Sequence, residues 1–259
     1  MNPATLATRL LAVREGAPLI DSLPEDQQPR SLAEAYQVAD HVVRGLTHGA
    51  GVVAGFKVGA TATAGQHFLG LAAPFYGRVP AQRILTSGAS WLSSEHAGSV
   101  EAEIGFLLGS ALPPRAEEYS EREVHAALAR AVPLLEVNRP SYAKPFAMGG
   151  LCLIADNGVT DSLIVGGPGV DSGTVRLGSE RVRLLRNGEY VASGDASVVL
   201  GDPLHALVWL ANALRTGDRG LLSGDVIASG ALTASLPAMP RDQFEAEYTT
   251  LGAVAMTVA

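Results

Sequence analysis

Val100-Glu101-Ala102-Glu103-Ile104-Gly105-Phe106-Leu107-Leu108 sets two glutamates one residue apart inside an otherwise apolar run. Side chains alternate between faces along a strand, so Glu101 and Glu103 share one face while Ala102, Ile104 and Phe106 share the other. Further along, Pro133-Leu134-Leu135-Glu136-Val137 supplies a third carboxylate in an equally apolar setting. Like charges near a core are costly unless a positive charge lies between them. A divalent cation is the natural candidate, and carboxylate-only ligation suits Mg²⁺, with Mn²⁺ or Ca²⁺ as alternatives. Zinc fits less well, because His41, His48, His67, His96, His125 and His205 are scattered. Spacing alone leaves a second reading open: Glu101 and Glu103 on a solvated face, and Glu136 paired with an arginine.

Outward from this strand, the chain reads as α+β. Residues 4–15 carry Leu6, Leu10, Leu11 and Val13 at helical spacing. After a polar link, Ser31-Leu32-Ala33-Glu34 is a capping-box pattern opening a second helix, which Gly49 and Gly51 end. Beyond it, short strands punctuated by Gly and Pro are expected at 52–58, 101–108, 134–137, 151–155, 226–229 and 253–258. Asn187-Gly188 marks a hairpin turn between 182–185 and 190–192. Ser120-Glu121-Arg122-Glu123 opens a helix expected to reach about Ala131, and Asp202-Pro203 caps another. The organisation expected is a helical N-terminal lobe over 1–50 and a strand-rich domain over 51–259. Without a regular βαβα alternation, this is neither a Rossmann fold nor a TIM barrel.

The net charge of −7 leaves no basic surplus for nucleic-acid phosphates. Apolar residues make up 47% of the chain, enough for a large core, yet no apolar stretch reaches the ~18 residues of a membrane span. Cys152 is the single cysteine, which excludes an intrachain disulfide and fits a cytoplasmic protein. No P-loop, G-x-G-x-x-G, G-x-S-x-G or H-E-x-x-H motif is present.

Lys57 stands alone among apolar residues in Gly55-Phe56-Lys57-Val58-Gly59. It must pair with a carboxylate, meet an anionic ligand, or snorkel from an edge strand. Ser229-Gly230-Ala231 ends a strand where free N–H groups can hold a carboxylate, or it is an ordinary turn. Ala155-Asp156-Asn157-Gly158 is a turn by composition, with Asp156 or Asn157 turned to a pocket or closing an Asx turn.

Taken in order, these pieces resemble the fumarylacetoacetate hydrolase superfamily. The branch they resemble is that of the 2-oxopent-4-enoate hydratases and 4-oxalocrotonate decarboxylases. The resemblance rests on Ala35-Tyr36-Gln37-Val38, Gly55 to Gly59, Glu101-Ala102-Glu103-Ile104, Leu135-Glu136-Val137 and Ala155-Asp156-Asn157. It continues through Asp202-Pro203-Leu204, Trp209-Leu210-Ala211 and the segment from Ser223 to Leu232.

The resemblance implies a mixed β-roll, a homo-oligomer, and Mg²⁺ or Mn²⁺ on Glu101, Glu103 and Glu136. It also implies Lys57 as an active-site residue, with Phe75, Asn157, Ser229, Gly230 and Ala231 around a small 2-oxo acid. Two departures stand out. Pro74-Phe75-Tyr76-Gly77 has Phe75 where the hydratases carry an aspartate and the decarboxylases an apolar residue, and Asn138-Arg139-Pro140-Ser141 replaces the Ser-Arg pair usual after the third glutamate.

A metal-dependent lyase is therefore expected, with decarboxylation of a 4-oxalocrotonate-like diacid favoured and hydration of a 2-hydroxydienoate the alternative. Three rivals stand beside it. One is a C–C hydrolase, using His41 or His48 with Glu25 or Glu34, or an oxaloacetate-type decarboxylase of the same superfamily. The others are a metal-containing binding protein without turnover and a structural oligomer with solvated glutamates. No nucleic acid or membrane partner is expected.

Overall fold

The computed structural model describes residues 1–49, 51–93, 96, 98–171 and 176–259. In chain order the elements are α1 (Pro3–Arg14), α2 (Leu32–Leu46), β1 (Val53–Gly59), α3 (Thr63–Leu69), β2 (Phe75–Pro80), β3 (Ile84–Thr86), β4 (Ala89–Trp91) and β5 (Gly98–Leu108). They continue with α4 (Glu121–Ala127), β6 (Leu128–Asn138), α5 (Gly150–Ala155), β7 (Thr160–Val165), β8 (Arg181–Arg186), β9 (Glu189–Asp195) and α6 (Pro203–Leu214). The chain closes with β10 (Val226–Ala231), β11 (Leu236–Ala238), β12 (Gln243–Tyr248) and β13 (Ala253–Val258).

An eight-stranded mixed sheet runs β2-β1-β10-β5-β6-β7-β3, with β11 added to the start of β5. A second sheet runs β4-β13-β12-β8-β9. The long antiparallel pair β5–β6 is the spine. Ala102, Ile104 and Phe106 of β5 and Leu135 and Val137 of β6 pack with Phe244, Ala246, Val254 and Met256 of the second sheet and with α6. That buried apolar face obliges Glu101, Glu103 and Glu136 to take the opposite one. The result is the α+β, mixed β-roll architecture expected from the sequence.

α1 and α2 pack on one another and on α5, sharing a core of Leu6, Leu10, Val13, Val38, Val42, Tyr142, Cys152 and Ala155. Asp202 caps α6 by accepting from the Leu204 N–H at 2.9 Å. The segment Ala196–Leu214 is long and apolar enough in composition to cross a bilayer. Its regular α-helix has only 12 residues, however, and buries Leu207 and Leu210 in the main core.

Two sequence expectations need correction. Residues 151–155 form helix α5 rather than a strand. A short apolar run carries no usable period, and this one is buried on every side between α2 and the main sheet. The helix opened by the Ser120 capping box stops at Ala127, because Leu128 onward is drawn into β6, opposite β5. β2, β7, β12 and the short α3 were not anticipated; each is flanked by polar or Gly-rich sequence that masks its pattern.

Candidate active site

The register of the main sheet assembles the site. Lys57 on β1 pairs with Ala228 on β10, Ala228 with Gly105 on β5, and Glu101 on β5 with Glu136 on β6. Paired residues share a face, so Lys57, Glu101, Glu103 and Glu136 all point the same way. Two like charges directly opposite in an antiparallel pair are destabilising.

One carboxylate oxygen from each of Glu101, Glu103 and Glu136 lies within 4.8 Å of the others. Glu103 and Glu136 are buried. Glu103 accepts from the Gly230 N–H at 2.7 Å. Lys57 Nζ is 3.4 Å from Glu136 Oε1, yet neither oxygen of Glu136 has a hydrogen-bond partner among the described residues. Burial, followed by the charges of Glu136 and Glu101, pushes the Glu103 carboxyl well above the ordinary carboxylate range. Glu101 is pushed up too, by burial and by Glu136, against the opposing pull of Lys57, Ser235 and Asn138.

Tyr248 fastens the site from below: its hydroxyl donates to the carbonyls of Glu103 and Leu134, which face each other across β5 and β6. Three carboxylates, two of them buried and Glu101 half-buried, face one ammonium, and Glu136 is left with unsatisfied oxygens. This donor set fits a hard divalent cation, whose charge would offset the excess negative charge of the three carboxylates.

Above the carboxylates is a cavity of about 260 Å³, in the range of a small organic acid. One side is polar, with Ser99, Ser235 and Asn138 beside Glu101; Ser235 donates to Ser99 at 2.7 Å. The remainder is mainly apolar, including Phe75, Leu69, Leu153 and Phe146. Among the described residues, Lys57 is the only cation lining it, and no histidine does so. Lys57 Nζ lies 5.3 Å from the centre of the Phe75 ring.

The residues singled out from sequence fall into two groups. Lys57, Glu101, Glu103, Glu136, Phe75 and Ala231 line the cavity together. Asn157, Ser229 and Gly230 are buried but do not. The Asn157 amide is committed to β2: its Nδ2 donates to the Arg78 carbonyl and its Oδ1 accepts from the Arg78 N–H, both at 2.8 Å. A register shift between Ala228 and Ala231 frees the Gly230 N–H, as the Ser-Gly-Ala reading anticipates, but the carboxylate it holds is Glu103. Gly230 has φ +120°, and a Cβ there would meet Thr61 Oγ1 at 2.5 Å, so only glycine fits. Arg139 turns away from the cavity toward Arg14 and Asp161, and His41, His48, Glu25 and Glu34 lie outside the lining.

Ser99, Ser235, Asn138 and Tyr248 carried no motif. Only the alternation of Phe244-Glu245-Ala246-Glu247-Tyr248 hints that Tyr248 faces inward.

Residues 73–259 match the fumarylacetoacetate (FAA) hydrolase C-terminal family, and the chain belongs to that family. Within it, the chain is 31% identical over 240 residues to a 2-keto-4-pentenoate hydratase from Paraburkholderia xenovorans, covering 92% of this chain and 86% of the relative. It is 28% identical over 236 residues to a 4-oxalocrotonate decarboxylase from a Pseudomonas species, covering 91% and 88%. The solved 4-oxalocrotonate decarboxylase from Pseudomonas putida G7, in complex with magnesium and adipate, superposes with a TM-score of 0.90 at 26% identity, covering 99% of this chain and 97% of that one.

Proposed function

We propose that this protein is a divalent-metal-dependent lyase acting on a small enolisable 2-oxo acid, with decarboxylation of a 4-oxalocrotonate-like 2-oxo diacid favoured. The observation that carries the reading is the convergence of Glu101, Glu103, Glu136 and Lys57 at the floor of a cavity that is otherwise largely apolar. Relatives named as hydratases and decarboxylases of such acids support it.

Glu101, Glu103 and Glu136 would hold the ion, Mg²⁺ or Mn²⁺; when bound, it supplies positive charge that stabilises negative charge developing on a 2-oxo acid. Lys57 is the cation placed to neutralise the substrate's carboxylate or deliver a proton into the conjugated chain. Gly230 fixes the Glu103 carboxylate, and the Tyr248 hydroxyl fixes the backbone beneath it. Phe75 gives the cavity an apolar wall that excludes water: when the C–C bond to CO₂ breaks, the electron pair left on the chain takes up a proton, and addition of water across the conjugated double bond is disfavoured.

Hydration of a 2-hydroxydienoate is the second reading, and it is supported by the polar side of the cavity, where Ser99, Ser235 and Asn138 can hold a water beside Glu101. A cytoplasmic homo-oligomer acting on small molecules completes the proposal; the buried free Cys152 fits a reducing compartment.

A panel of 2-oxo diacids and 2-hydroxydienoates, assayed with Mg²⁺ by ultraviolet loss and CO₂ release, tests the proposal. Metal-dependent loss of the diacid with matching CO₂ is expected; metal binding without turnover of any member would overturn it. Phe75→Asp should shift the products toward hydration, and an unchanged product ratio would show that this position does not choose between the reactions.

A further inference from the structure

The turn that closes one wall of the cavity is strained. Asn157, Gly158 and Val159 follow one another at φ 54°, 65° and 60°. A β-branched residue in the left-handed region is a genuine outlier, and such conformations persist only where the surroundings over-determine them. Here they do. Arg14, the last residue of α1, brackets the turn on both sides: Nη2 donates to the Asp156 carbonyl at 3.2 Å and to its Oδ1 at 3.1 Å, and Nη1 donates to the Thr160 carbonyl at 3.3 Å. The Asp156 carboxylate also accepts from the Ser141 N–H at 2.7 Å and from the Ser141 hydroxyl at 2.8 Å. The Arg139 N–H donates to the Val159 carbonyl at 2.7 Å, and the Arg139 side chain donates to the Arg14 carbonyl.

Inside this bracket the turn presses on Lys57. A Cβ on Gly158 would meet Lys57 Cε at 2.6 Å and the Phe75 ring at 2.9 Å, so the backbone of the turn lies flat against the lysine stem. Lys57 is thereby held between that backbone, the Phe75 ring and Glu136.

We propose that Arg14 and Asp156 are positioning residues for Lys57: the N-terminal helix reaches into the sheet domain, clamps the left-handed turn 157–159, and through it fixes the lysine at the cavity floor. This rests on the functional reading of Lys57 given above. It also gives the N-terminal helices a place in the active site, although the family match begins only at residue 73.

Lys57 and Lys144 are the only lysines in the chain; Lys57 is buried and Lys144 exposed. Acetylation followed by mass spectrometry therefore reads Lys57 directly, with Lys144 as the internal reference. The variant to test is Arg14→Met with Asp156→Asn, which removes both charges together and so leaves no unpaired ion in the core. In the folded double variant, the Lys57-to-Lys144 labelling ratio should rise by about tenfold, and kcat should fall by about as much with KM and the Mg²⁺-induced rise in melting temperature kept. Arg14→Lys, which retains the charge but cannot bracket the turn as the guanidinium does, should move both quantities the same way and serves if the double variant does not fold. A folded variant with wild-type labelling ratio and wild-type kcat would overturn the proposal, whatever its melting temperature. Wild-type protein inactive on every substrate, but with a raised labelling ratio in the variants, would contradict the function and leave the clamp standing.

Discussion

Two groups of buried charge lie close to the main sheet, and they are balanced in opposite ways. Around Asp156 and Asp161 gather Arg14, Arg83 and Arg139. Asp161 also accepts from Trp91 Nε1 at 2.9 Å and from Ser162 Oγ at 2.8 Å, and despite burial these partners hold its carboxyl below the usual range. Around Glu101, Glu103 and Glu136 there is one ammonium, and the Glu136 oxygens have no hydrogen bond among the described residues. In the first group each carboxylate has arginine partners and further hydrogen bonds from the chain. The second is incomplete by charge and by hydrogen bonding, which is the physical signature of a site finished by something outside the chain.

That contrast can be broken from either side. The largest effect is on turnover: Lys57→Met removes the only ammonium facing the cavity and should lower kcat by about 10²–10⁴-fold in a steady-state assay, with the protein still folded. Next, Arg14→Met leaves Asp156 as an uncompensated buried charge and should cost about 3–5 kcal/mol in urea unfolding. Glu136→Gln, by contrast, removes one of the repelling carboxylates and should leave the metal-free protein at least as stable as wild type. A smaller effect separates the groups by pH. Glu103 has its pKa raised in the fold, so its contribution is most favourable when it is protonated and is lost as pH rises through the raised value. In metal-free protein, the melting-temperature advantage of Glu103→Gln over wild type should therefore grow with rising pH, and saturating Mg²⁺ should reverse its sign. A pH-independent difference would show that Glu103 does not titrate in this way.

Much of this was legible in the residues. The E-x-E spacing placed Glu101 and Glu103 on a shared face, because strand alternation is a local rule, and the isolated Lys57 stood out as a charge needing a carboxylate, an anionic ligand or a route to solvent. What joins them was not legible. That Glu136 faces Glu101 is a matter of β5–β6 register, and register is set by the whole core. The Asp156-Asn157 turn was visible as a turn, but its role depends on Arg14, 142 positions away in sequence. The apolar run 151–155 gave the wrong element because burial on all sides erases the periodicity that tells helix from strand.

Calorimetric titration of Mg²⁺ or Mn²⁺ into metal-free wild type and into the Glu101→Ala plus Glu103→Ala variant tests the central claim most directly. One ion per chain in the wild type, and none in the folded double variant, is the predicted result. Stoichiometric binding retained by the double variant would contradict the assignment of the three carboxylates as the metal site.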